Sequence, residues 1–206
     1  MGCAKTLCHA EVRKLLDYLL QGGPRQRSPR NRFRDGGMVM VMLEAGLRVG
    51  ELVELRLGDL LWEDEPVGAI TVRAEIAKMG VERRVPVSVS LGTEIAIMRD
   101  LLWWPVSRDL QGYCFYRRRP DVHLTTRSVE VIVRRASMAA LGRPVHPHML
   151  RHTFATNLMR VAPARVVQEL LGHADLRSTQ VYTHPSGEDL AAAIMAASER
   201  NKETTK

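Results

Sequence analysis

The feature that most restricts this chain is the punctuation between His146 and His184, in HPHMLRHTFATNLMRVAPARVVQELLGHADLRSTQVYTH. Pro147 suits the first turn of a helix, where its missing N–H costs nothing, and Gly172 suits the residue just past a helix end. Pro163 and Asp175 are start signals of the same kind. The stretch therefore predicts three short helices: one starting at Pro147, one over Pro163 to Leu171, and one over Asp175 to Tyr182. In the first, His148, Arg151 and His152 stand at i, i+3 and i+4 and share a face. His173 and Tyr182 follow. Two imidazoles, a guanidinium that can fork two oxygens and a phenol that can attack phosphorus form a set that a phosphodiester can use.

These residues resemble the C-terminal catalytic block of the tyrosine recombinases, the integrase family of site-specific DNA recombinases. There His-x-x-Arg is followed by Leu-Gly-His and, nine residues on, by a tyrosine, as His148, Arg151, Leu171-Gly172-His173 and Tyr182 are here. The resemblance implies an upstream arginine in an Arg-x-x-Glu setting and a lysine in a turn between strands. Arg48-Val49-Gly50-Glu51 meets the first requirement. For the second, GAITVRA (68–74) and RRVPVSV (83–89) are β-branched runs that predict a hairpin, and Lys78 lies in their connection. One departure is Val161-Ala162-Pro163, where the family usually has a glycine between the first two helices.

The family likeness implies roles. Tyr182 is the nucleophile, Arg48, Arg151 and His173 hold the phosphate oxygens, and His148 takes or orients the tyrosine proton. Lys78 is the general acid for the departing 5′ oxygen, and Glu51 braces the site. The product implied is a 3′-phosphotyrosyl link made without ATP, metal or cofactor. Two other readings share the residues: a catalytically silent DNA-binding accessory protein, and strand relaxation of the type IB topoisomerase kind. A zinc site from His146, His148 and His152 lacks the glutamate of the His-Glu-x-x-His pattern, since position 149 is Met.

Helical periodicity elsewhere predicts helices over 10–20, from Phe33 to Ala45, over Val49–Leu57, over Leu91–Trp104, and from a Thr125 or Thr126 cap to about Leu141. Residues 22–34, rich in Gly, Pro and Arg, read as a basic loop. The fold expected is mainly α with a small antiparallel β-sheet, the α+β fold of the tyrosine recombinase catalytic domain. That domain would fill 1–184. Residues 185–206 would form a tail helix, which in the family docks on a neighbouring protomer. No stretch matches the separate N-terminal domain with which most family members close a clamp round DNA, and Met1 stands ahead of a plausible first helix. The reading is of a naturally short protein.

Thirty Lys and Arg against 23 Asp and Glu leave a formal charge of +7, which favours a polyanionic partner. The family resemblance implies that this partner is double-stranded DNA, with a homo-oligomer, dimer to synaptic tetramer, assembling on it. Arg83, Arg84, Arg117, Arg118, Arg119, Arg134 and Arg135 are the candidates for contact with its backbone. Cysteines at 3, 8 and 114 show no Cys-x-x-Cys spacing, so neither a disulfide framework nor a Cys-based zinc site is indicated. No apolar run reaches the roughly 20 residues that span a bilayer, and no signal peptide is evident. A cytoplasmic protein, at the nucleoid when bound to DNA, is expected.

Overall fold

The computed structural model describes residues 6–22, 28–172 and 187–203. The order of elements is α1 (His9–Asp17), continued by a π-helical turn (Tyr18–Gly22), then α2 (Pro29–Ala45), α3 (Val49–Val53) and α4 (Leu57–Leu60). Strands β1 (Leu61–Trp62), β2 (Glu65–Pro66), β3 (Ala69–Val72) and β4 (Arg83–Pro86) follow. Next come α5 (Val89–Met98) with a π-helical turn (Arg99–Trp103), α6 (Thr126–Leu141), α7 (Pro147–Leu158), α8 (Ala164–Leu171) and α9 (Gly187–Glu203). Among the described residues the fold is mainly helical with two small antiparallel sheets, β1 on β2 and β3 on β4.

Helix α2 is the pivot. Its Met38, Val39, Val41, Met42 and Ala45 are fully buried, and the helix packs against α7, α5 and both π-helical turns. It starts earlier than its apolar pattern suggests, because Pro29 occupies the first turn behind Ser28 instead of breaking the chain. The basic loop expected over 22–34 is thus helical from Pro29 onward, and Arg34 is buried against Asp35 at 2.7 Å.

The helix expected over Val49–Leu57 is two. Glu54 ends α3, and a second start signal opens α4, where the Arg56 N–H donates to Asp59 Oδ2 at 2.8 Å. Helix α5 begins at Val89 behind the Ser88 hydroxyl, which accepts the Leu91 N–H. Helix α6 runs to Leu141 with Thr125 as its cap, and Val129, Ile132, Val133 and Ala136 face inward.

In the β3–β4 hairpin Ile70 opposes Val85, Thr71 opposes Arg84 and Val72 opposes Arg83. Alternation along β4 puts Val85 on the buried face and Arg83 beside it, with Arg84 outside. Helix α9 packs on α5, α7, α8 and β4 of its own chain, and Ala193 and Ile194 are buried there. The third helix expected in the C-terminal block, Asp175 to Tyr182, lies outside the described residues.

Two left-handed glycines terminate the helices that bear on the site. Gly46 closes α2 at φ 62° and Gly172 closes α8 at φ 60°. A Cβ on Gly46 would run into the ring of Phe154 in α7. Gly46→Ala should therefore cost at least the roughly 1–2 kcal/mol of a left-handed L-residue, a fall of several degrees in melting temperature. A melting temperature matching wild type would contradict this account of the α2–α7 contact.

Candidate active site

The centre of the site is one carboxylate. Glu51 stands in the first turn of α3, three residues after Arg48, and accepts the Arg48 backbone N–H at Oε2 (2.8 Å) and Arg48 Nη1 at Oε1 (2.9 Å). That is the capping geometry expected when Glu follows a helix N-cap by three. It fixes the Arg48 side chain over the helix start. Glu51 is 1% exposed. From the other side Arg83 forks it, Nη1 to Oε1 at 3.0 Å and Nη2 to Oε2 at 2.6 Å. Arg151 Nη1 lies 3.9 Å from Oε2.

The arginines also cap the end of α8. An α-helix leaves its last carbonyls without intrahelical partners, and cations suit that end of the dipole. Here Arg83 Nε donates to the Leu170 carbonyl at 3.0 Å and Arg151 Nη2 to the Leu171 carbonyl at 2.7 Å. Arg48 Nη1 reaches Leu171 at 3.5 Å, and Arg151 Nη1 donates to the Gly46 carbonyl at 2.6 Å. So the ends of α2 and α8, far apart in sequence, are joined through Arg151. Gly172 is left where a Cβ would come 3.0 Å from Arg83 Cδ.

Three guanidiniums share one carboxylate, so the cluster holds an excess of positive charge. Burial alone would raise the Glu51 pKa, but hydrogen bonds and charge from Arg83, with the Arg48 contacts, carry it below the usual carboxylate value. Burial, reinforced by Arg48 and Arg83, lowers Arg151 to about 10, so it stays protonated at neutral pH. His148, exposed in the first turn of α7, meets the His152 ring edge-on with centroids 4.9 Å apart. Partial burial, then the charges of His152, Arg151 and Arg48, hold its pKa below that of a free imidazole. The side chains differ in access: Arg48 is 24% exposed, against 6% for Arg83 and 5% for Arg151.

Arg48, Glu51 and Arg151 are thus brought together. Lys78 is exposed in the β3–β4 connection, near the left-handed Gly80, and makes no hydrogen bond or ion pair with the cluster among the described residues. His173 and Tyr182 lie outside the described residues, although Gly172, the residue before His173, is fixed against Arg83. Arg84, Arg117, Arg118, Arg119, Arg134 and Arg135 are exposed, and Arg119 pairs with Asp121 at 2.7 Å.

Arg83 corrects its assignment as a DNA backbone contact. It is buried, with its guanidinium committed to Glu51 and Leu170. The signal was available in the sequence, because Arg83 is in phase with Val85 and Val87 along the strand, whereas Arg84 is not. Among the described residues no group of three or more His, Cys, Asp or Glu side chains is placed to hold a metal ion.

If Glu51 is the ionised hub, Glu51→Gln should cost on the order of 3 kcal/mol, since it strands buried guanidiniums. The Glu51 pKa is lowered in the fold, so its contribution is present above the unfolded carboxylate range and is lost as pH falls through the folded value. The gap in stability between wild type and Glu51→Gln should be full at neutral pH and shrink in acid below the ordinary glutamate pKa of 4.5. Denaturant titrations across that range measure it, and a gap that does not change with pH would refute the ionised hub.

Comparison with known proteins bears on what this cluster serves. The family model described as the phage integrase family matches residues 5–188. Tyrosine recombinase XerC of Pseudomonas aeruginosa is 37% identical over 170 residues, 82% of this chain and 53% of that protein. Tyrosine recombinase XerA of Pyrococcus furiosus is 34% identical over 194 residues, 94% of this chain and 62% of that protein. The chain spans about half the length of the XerC relatives it matches. Among solved structures, a XerA recombinase superposes with a TM-score of 0.68 at 27% identity, covering 100% of this chain and 67% of that one. A XerH site-specific recombinase bound to its difH substrate in a pre-cleavage complex gives 0.63 at 28% identity, covering 93% and 53%. With a site of this composition, a fold shared with these recombinases and a family match over nearly its whole length, the chain belongs to the phage integrase family, the tyrosine recombinases.

Proposed function

We propose that this chain carries the catalytic domain of a site-specific DNA recombinase, cutting and rejoining strands through Tyr182. The observation that carries the reading is the arginine cluster on Glu51, a preorganised, positively charged pocket whose more exposed member, Arg48, stands ready for an anion. A scissile phosphate supplies the missing negative charge. Arg48 and Arg151, with His173, hold its non-bridging oxygens, and fixed donors of this kind are each typically worth about 3–4 kcal/mol in a transition state. Backbone ties at Arg151 mean that the pocket is ordered before substrate arrives, which is what such stabilisation requires.

The chemistry follows from the ordinary acidity of the groups. A free phenol has a pKa near 10, so about one in a thousand is phenolate at pH 7. Neighbouring guanidiniums favour the phenolate, and His148, kept neutral by its surroundings, accepts the proton. The Tyr182 oxygen then bonds to phosphorus as the bond to the 5′ oxygen breaks, and Lys78 gives that oxygen a proton. For this step Lys78 must approach the phosphate held by the cluster, carried there on the β3–β4 connection. A 5′ hydroxyl from another strand reverses the sequence, so the phosphotyrosyl link conserves the bond energy and neither ATP nor a metal is consumed.

Duplex DNA lies across the face where Arg48 is exposed, with the basic side chains of Arg84, Arg117, Arg118, Arg119, Arg134 and Arg135 available to phosphates. Strand exchange needs more than one active site, so a homo-oligomer on DNA, from dimer to synaptic tetramer, is the working form. Helix α9 would serve that assembly if it exchanged its seat on its own chain for one on a neighbour. The protein would act in the cytoplasm, at the nucleoid.

The test starts from a library of nicked duplexes with randomised sequence, because covalent capture selects the site it cuts. Wild type should leave detergent-resistant protein–DNA adducts, and Tyr182→Phe none. A chain that selects and binds a sequence yet never forms an adduct is a silent accessory protein, and one that relaxes supercoils without sequence choice is topoisomerase-like. On the selected duplex, adduct formation should have its acid limb below the ordinary imidazole pKa of 6.5, because His148 is shifted downward. His152→Gln removes one cause of that shift and should move the limb up. A limb at or above 6.5 in wild type would exclude His148 as the acceptor.

A further inference from the structure

Arg83 is the one buried cation of the cluster with no part in the chemistry above, and its position is unusual. It begins β4, five residues beyond Lys78, and its guanidinium spends all three nitrogens on the site. Nη1 and Nη2 hold the two oxygens of Glu51, and Nε holds the carbonyl of Leu170. Its stem fills the space above Gly172, the residue before His173. One side chain thus touches three separate pieces of chain: the Arg48 turn through Glu51, the end of α8, and the hairpin whose connection carries Lys78.

The charge balance gives this contact a further consequence. Glu51 Oε1 receives both Arg48 Nη1 and Arg83 Nη1. Were Arg83 absent, the full negative charge of Glu51 would fall on Arg48 and on Arg151, 3.9 Å away. Arg48 would then answer an internal anion instead of an incoming phosphate.

Building on the recombinase reading, we propose that Arg83 is a positioning residue for strand cleavage: it neutralises Glu51 so that Arg48 stays available to the phosphate, and it pins the α8 end that leads into His173. Lysine cannot replace it, because a single ammonium cannot fork both carboxylate oxygens while also reaching Leu170. Binding of duplex DNA does not depend on it, since the side chain is buried. Arg84, exposed next to it on the opposite face of the strand, has the opposite profile.

The test uses the full chain and a nicked duplex selected by wild type from the randomised library, with DNA affinity and the adduct rate at saturating protein measured separately. Circular dichroism melts establish that each variant is folded at the assay temperature. Arg83→Gln should keep its DNA affinity within about threefold and lose on the order of a hundredfold in the saturated rate, the loss typical when one preorganised donor, here Arg48, is withdrawn from the transition state. Arg83→Lys should fall between, and Arg84→Gln should weaken binding with the saturated rate little changed. Glu51→Gln added to Arg83→Gln removes the unneutralised carboxylate and should recover about tenfold of the lost rate, which a purely structural loss would not do.

The proposal is wrong if Arg83→Gln cleaves at the wild-type saturated rate, if its defect lies in affinity alone, or if the double variant is no faster than Arg83→Gln. If Arg83→Gln does not fold, Arg83→Lys decides by the same split of rate and affinity. If neither folds, Arg83 is a staple of the fold and the positioning role falls. A wild-type chain that forms no adduct with any library member overturns the recombinase reading itself, a result separable from every outcome for Arg83.

Discussion

A carboxylate with 1% of its surface exposed and hydrogen-bonded to two arginines is the constraint on which the rest of this structure depends. Burying one ion is costly, and the cost is met only when partners are arranged around it with good geometry. Glu51 achieves this by drawing its partners from different parts of the chain, Arg48 from its own turn and Arg83 from β4, with Arg151 of α7 close by. None of these side chains can relax independently. The arrangement also explains why α3 is so short. Its task is to present Glu51 at the first turn, and the five residues Val49–Val53 suffice.

The helix ends around the cluster follow the same logic. An α-helix closed by a left-handed glycine turns sharply and exposes carbonyls, and here those carbonyls are met by guanidiniums. Arg151 joins the Gly46 and Leu171 carbonyls, so the end of α2 and the end of α8 are fixed relative to one another by a residue of α7. Met38 and Met42 of α2 and Leu150 of α7 are buried in the core on which these two helices pack together. Positive charge is thereby concentrated without the mobility of exposed lysines and arginines.

Much of this was legible in the sequence, for identifiable reasons. Proline marks the start of α7 and of α8, and glycine the end of α8, because both residues act through their own backbone, which needs no knowledge of the fold. The hairpin of β3 and β4 and the run of α6 follow from local periodicity. Features set by distant partners are not local: within a run of Gly, Pro and Arg, Pro29 reads as a breaker, whereas Ser28 and the buried face of α2 make it a first-turn residue, and the second cap that splits α4 from α3 depends on Asp59. The partners of Arg151 are main-chain carbonyls, which no residue type announces. For Arg83 the two local signals conflict: its charge points to solvent, its place in the strand pattern points inward, and the presence of Glu51 makes the second possible.

That the arginines grasp backbone rather than side chains has a consequence for how the site can vary. Leu170 and Leu171 offer carbonyls that any residue would offer, so side-chain replacement there changes packing but leaves the contacts to Arg83 and Arg151 in place. A change in length is different. Inserting or deleting one residue within α8 would turn its final carbonyls by roughly 100° and move them about 1.5 Å along the axis, out of line with both guanidiniums. The site is therefore addressed by count rather than by identity along α8, tolerant of substitution and intolerant of shifts in register.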